Sequence, residues 1–212
     1  KELSIDVKKE AASEPSNYKR IDEVKDELDF DRKYKEASIL SYDDVKERYS
    51  RKSNRKDLVE AIIWNILKIE APIHKEIVFK KVADELGYGR VGSNIRYNLN
   101  RYIDKMLKSS IIEIRGDFLY YPNSEVLVRN RGDLSNDQRK IEMISPEELR
   151  KAIIETVKLT YGGDKEDVIK EVGSLLGYSR VTENIFDSIQ DVVKVLIQEG
   201  ELELKDEKLG LK

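Results

Sequence analysis

Apolar residues recur along this chain at helical spacing, and the recurrences fall into two matching sets. Ile62, Ile63, Ile66 and Leu67 share one face of a helix predicted over residues 55–69. Ile77, Val78, Val82 and Leu86 do the same over 75–86, and Val91, Ile95, Leu99, Ile103 and Met106 over 91–108. Then the period changes from helical to alternating. IIEIRGDFLYY, residues 111–121, reads as two short strands about Gly116-Asp117. The second set predicts helices over 146–160, 165–176 and 181–199, followed by ELELKDEKLGL at 201–211 with alternating Leu202 and Leu204. SPEE, residues 145–148, marks the start of that set: Ser145 as N-cap, Pro146 in the first turn, Glu148 closing a capping box.

The two sets are an internal repeat with a shift of 90 residues and no gap. Lys75, Glu76, Val78, Lys80, Val82, Leu86, Gly87, Tyr88, Arg90, Val91, Asn94 and Ile95 all meet identical residues 90 positions later. LGYGRVGSNI (86–95) thus returns as LGYSRVTENI (176–185). Two copies are too few for a solenoid and suit two similar small domains. Three helices and a hairpin, with a short joint between helices two and three, is the winged-helix plan. The expected fold is mainly α with small β-hairpins: a first winged helix over 53–122, a connector over 123–144 with an edge strand at 126–128, and a second winged helix over 145–212. Residues 1–52 are expected to be a polar linker and N-terminal extension, with a helix over 41–52.

Composition narrows the chemistry. The chain has 212 residues, of which 39% are apolar and 38% charged, so its cores are small and its surface widely solvated. A net charge of −3 gives no global attraction to nucleic acid, and any polyanion site must be a local patch. There is no cysteine and one histidine, His74, which excludes thiolate catalysis and cysteine or multi-histidine metal sites. No apolar run reaches the ~20 residues of a membrane span, and no signal-peptide pattern opens the sequence. The expectation is a soluble, cytoplasmic protein without cofactor or metal, and not an enzyme.

IEAPIHKEIVFKKVADELGYGRVGSNI (69–95), VRNRGD (128–133), ISPEELRKAI (144–153) and LLGYSRV (175–181) resemble the C-terminal domain of unknown function of large superfamily I helicase-like proteins. There it follows a helicase core and a nuclease-like domain of the very-short-patch-repair type. YKEASI (34–39) is similar to the segment that precedes it. One departure is Ala71, where the family has glycine before Pro-Ile-His. The resemblance implies an accessory module of a nucleic-acid-processing protein, whose helicase chemistry belongs to other domains of the parent.

The repeat also weighs the candidate sites. Gly87, Gly89 and Gly92 match a dinucleotide-binding pattern, but the preceding segment is helical and the second copy has Ser179 and Thr182 in place of two of them. Helix three of the first copy offers Ser93, Asn94, Arg96, Tyr97, Asn100, Arg101 and Lys105, with Arg115 on the wing: donors for bases and cations for phosphate. Residues 91–122 hold five basic and three acidic residues, net +2, whereas 181–212 hold four and eight, net −4. Glu183, Asp187, Asp191 and Glu199 would repel phosphate, so duplex or junction DNA is expected at the first copy alone. The alternative is a protein-interaction or self-association module with no nucleic-acid contact. Gly87, Tyr88, Arg90, Gly177, Tyr178 and Arg180 are read as the structural joint, the arginines bridging a carboxylate or bonding carbonyls at the end of helix two. His74 is expected to cap helix two, and Arg129, Arg131 and Arg139 to pair with the interleaved Asp133 and Asp137.

Overall fold

The computed structural model describes residues 32–38 and 55–212, which belong to one compact unit. The helix expected over 41–52 lies outside the described residues. Helix α1 (Arg55–Glu70) is followed by β1 (Ile73–His74), α2 (Lys75–Glu85), α3 (Ser93–Lys108), β2 (Glu113–Arg115) and β3 (Phe118–Tyr120). A turn of 3-10 helix (Ile141–Met143) precedes α4 (Pro146–Leu159), β4 (Gly163–Asp164), α5 (Lys165–Leu175), α6 (Glu183–Gln198), β5 (Leu202–Lys205) and β6 (Lys208–Leu211). The architecture is mixed α+β, with two small antiparallel sheets in the orders β1-β3-β2 and β4-β6-β5.

The 90-residue shift holds in space. Ile63, Val78, Phe79, Val82, Leu99, Ile103, Met106, Ile112 and Leu119 are buried in one cluster, and the residues 90 later, Ile153 through Leu209, are buried in another. Each such aliphatic or aromatic side chain contributes about 1.5–3 kcal/mol by leaving water. The sheets match too: Ile73 pairs with Leu119, and Gly163 with Leu209. The two-residue strands β1 and β4 have no signature in the sequence, since two residues carry no alternation. The edge strand expected at 126–128 is not formed. Helices α3 and α6 start two residues later than expected, because Gly92 and Thr182 are extended N-cap residues, with ψ of 171° and 166°; Val91 and Val181 pack against the cores from just outside the helices.

A buried ionic cluster joins the two cores. Glu148, 0% exposed, receives Arg131 in a bidentate pair at 2.6 and 2.7 Å and Arg129 at 2.6 Å. Arg129 also donates to the carbonyls of Glu70 and Pro72, at the end of α1, at 2.5 and 2.7 Å. The Glu70 carboxylate, likewise 0% exposed, takes bonds from Tyr34, Lys81 and the Ala37 N–H, each at 2.9 Å. Tyr34 lies beneath both guanidinium groups. Burial pushes the Glu148 carboxyl up, but Arg131 and Arg129 outweigh it and hold it below the usual carboxylate range.

Three expectations are corrected by this cluster. Arg129 and Arg131 pair with Glu148, while Asp133 and Asp137 go to Lys33 and to Lys140 and Lys80. The capping box is half formed: Ser145 Oγ accepts from the Glu148 N–H at 3.2 Å, but the carboxylate turns to the arginines. Residues 32–38, expected within the linker, run against both copies: Arg32 pairs with Glu155 at 3.0 Å, and Tyr34 N–H donates to the Asn130 carbonyl at 3.0 Å.

Candidate nucleic-acid interface

Helix α3 is amphipathic. Leu99, Ile103 and Met106 anchor it to the first core, which leaves Ser93, Asn94, Tyr97, Asn98, Asn100, Arg101, Lys105 and Lys108 exposed. Tyr97 is 65% exposed, and the Arg101 guanidinium lies 6.0 Å from its ring centroid. The N-cap is Gly92, which offers no side-chain bond, and the first turn carries no acidic residue. The positive end of the helix dipole is therefore uncompensated by any side chain of its own first turn. Tyr88, Gly89, Arg90, Gly92, Ser93, Asn94 and Ile95 line a shallow hollow at that end.

The expected cations divide into two kinds. Arg96 is ion-paired with Glu76 and lies over the Phe79 ring. Lys105 is paired with Glu60 at 2.6 Å. Arg115 is paired with Glu113 at 3.1 Å and Glu147 at 3.4 Å, and lies over Tyr120. Arg101 and Arg90, by contrast, are exposed and have no carboxylate at ion-pair distance among the described residues. Exposed pairs are worth at most about 1 kcal/mol, so Lys105 and Arg115 are attenuated as phosphate ligands rather than removed.

On α6 the matching face is acidic. Glu183, Asp187 and Asp191 occupy the positions of Ser93, Tyr97 and Arg101, and all three are exposed. Asp191 is paired with Lys194 at 2.8 Å. Arg96 and Lys105 become Phe186 and Val195.

The joint also departs in part from expectation. Gly87 and Gly177 adopt φ of +73° and +95°, as a glycine C′ position requires. Gly87 and Tyr88 N–H groups donate to the Asp84 and Ala83 carbonyls, and Gly177 and Tyr178 to Ser174 and Gly173, in the same closing pattern. Those bonds satisfy the helix-end carbonyls, so Arg90 and Arg180 are not needed there. Both stand exposed with no side-chain bond among the described residues, contrary to the bridging expected of them. Tyr178 donates to the Arg139 carbonyl at 2.6 Å, and burial pushes its hydroxyl up to about 12.

His74 caps α2, its Nδ1 accepting from the Glu76 N–H at 3.2 Å while its ring meets Phe118 edge-on. Burial lowers its pKa, against the pull of Asp117 and Glu76. Trp64 packs edge-on to Tyr121, and Tyr120 is buried. Among the described residues no group of three His, Cys, Asp or Glu side chains is placed to hold a metal ion, and no helix is long and apolar enough to cross a membrane.

Residues 50–97 match the model of a family described as a protein of unknown function, DUF3320. The match spans α1, β1, α2, the first joint and the start of α3. No curated protein and no solved structure matches the chain.

Proposed function

We propose that this chain is a tandem winged-helix accessory module of a nucleic-acid-processing, helicase-like protein, and that its first unit contacts duplex or junction DNA. The element order helix, strand, helix, helix, hairpin, with the first strand completing a three-stranded sheet, supports the winged-helix reading in each copy. The observation that carries the function is the contrast between two otherwise matching helices. The α3 face presents Ser93, Asn94, Tyr97 and Arg101, the last with no ion-pair partner among the described residues, where α6 presents Glu183, Asp187 and Asp191. Arg90 stands beside the N-terminus of α3, as Arg180 does beside that of α6, but only α3 has no carboxylate in its first turn. Asn and Arg side chains read base edges, and a helix N-terminus flanked by arginine suits a phosphate. The module positions its substrate, and the chemistry belongs to the parent.

Fluorescence anisotropy with a labelled duplex tests this. Binding is expected at about 50 mM salt and to weaken as salt rises, because each phosphate contact releases counterions. Arg90→Glu with Arg101→Glu is expected to lower affinity at least about tenfold and to flatten the salt dependence by about one unit per lost contact. Binding that ignores both substitutions, or none at any salt, overturns the proposal.

A further inference from the structure

The Tyr97 ring stands on a solvated helix face. It is 65% exposed, whereas Leu99, Ile103 and Met106 on the opposite side of α3 are buried. Its neighbours on the helix, three and four residues away, are Ser93, Asn94, Asn100 and Arg101. All four are polar and exposed, so none of these neighbours adds apolar surface to the ring. A protein docking through apolar contact would meet one ring and no patch. A nucleobase suits the face better. Its flat side stacks on Tyr97, and its polar edge meets the amide of Asn94 or Asn100. The Arg101 guanidinium, 6.0 Å from the Tyr97 ring centroid, stands beside that stack with its charge available to a phosphate.

Charge and stacking separate unpaired DNA from paired DNA. A duplex carries one negative charge per about 1.7 Å, and interfaces that grip it are dense in cations. Here Arg96, Lys105 and Arg115 already hold carboxylates. Arg90, Arg101 and Lys108 are left, on the joint and α3, without an ion pair among the described residues. So few cations give modest affinity for a duplex backbone. Stacking of one base on an aromatic ring multiplies affinity by about five- to a hundredfold and needs no further charge. Inside a continuous duplex both faces of every base are covered by its neighbours, so Tyr97 has a base to stack on only where the pairing ends.

We infer that the α3 face takes an unpaired nucleotide at the edge of a duplex. Tyr97 stacks on the base, Asn94 or Asn100 bonds its edge, and Arg101 holds the phosphate next to it. Arg90, beside the N-terminus of α3, is left for the adjoining duplex backbone. This rests on the nucleic-acid reading proposed above and narrows its substrate to a duplex with a single-stranded end. The second copy has Asp187 and Asp191 at the positions of Tyr97 and Arg101, and so offers neither ring nor cation.

The probes are a blunt duplex and the same duplex extended by a 5′ or a 3′ overhang that carries 2-aminopurine, each titrated against the full chain. One overhang form is expected to bind at least about fivefold more tightly than the blunt duplex, with its 2-aminopurine emission quenched on binding. Tyr97→Ala is expected to remove the quenching and that gain, and to leave blunt-duplex affinity within about twofold. Tyr97→Phe, which keeps the ring, retains both. Tyr97 is exposed and outside the core, so the thermal midpoint is expected to be unchanged in either variant. The inference is overturned if the blunt duplex binds as tightly as both overhang forms, if quenching survives Tyr97→Ala, or if that variant weakens blunt and overhang substrates equally. A chain that binds none of the three substrates overturns the nucleic-acid reading and this inference together. A chain that binds all three alike overturns this inference alone.

Discussion

Glu148 has no solvent exposure and faces two guanidinium groups, so removing its charge leaves two cations in the interior. Breaking such a buried pair costs about 3–5 kcal/mol, far more than an exposed one. Glu148→Gln is therefore expected to lower unfolding free energy by about that amount in urea titration, while Glu113→Gln, on the exposed wing pair, changes it by less than about 1 kcal/mol. His74 is the other residue with a sharp consequence. Its folded pKa lies below its ordinary value of about 6.5, so the unfolded chain binds the extra proton first. The stability it confers is complete above about pH 6.5 and is lost as pH falls below that value toward its folded pKa. Thermal midpoints are expected to fall between pH 7.5 and 5.5, and to fall less in His74→Asn, which keeps a capping oxygen but does not titrate.

At the scale of the element, α3 and α6 have the same buried stripe and opposite outer faces. Their helical spacing was legible because Leu99, Ile103 and Met106 and their counterparts recur every three to four residues. The charge contrast was legible for the same reason. The pairing of individual cations was not, because Glu60 and Glu76 reach Lys105 and Arg96 from other helices and no spacing rule links them. That difference separates the variants. Arg101→Ala is expected to reduce duplex affinity several-fold, by about 1 kcal/mol for a lost exposed contact, and Arg96→Ala to leave it within about twofold. Equal effects in an anisotropy titration would show that the Arg96–Glu76 pair opens on binding.

Over the whole molecule, two small cores are tied by one buried polar cluster to which residues 32–38 contribute Tyr34 and the Ala37 N–H. The duplication announced the cores, and the 90-residue register carried over to strand pairing without adjustment. The cluster was not legible. Its members, Tyr34, Glu70, Arg129, Arg131 and Glu148, are scattered over more than a hundred positions, and in sequence Glu148 looks like a capping residue and the arginines like a solvated patch. Only burial distinguishes them. Because the cluster couples the cores, urea unfolding is expected to show one transition, and Tyr34→Ala with Glu148→Gln to split it into two. A single transition in that variant would mean that apolar contact alone unites the copies.

DNA is expected on the α3 face of the first copy and not on the α6 face of the second. An amide-shift titration of the ¹⁵N-labelled chain with a duplex of about 20 base pairs at about 50 mM salt measures this directly. The expected result is shifts concentrated at Arg90, Ser93, Asn94, Tyr97 and Arg101, with Glu183, Asp187 and Asp191 unmoved. Shifts centred on α6, shared equally by both helices, or absent altogether would contradict it.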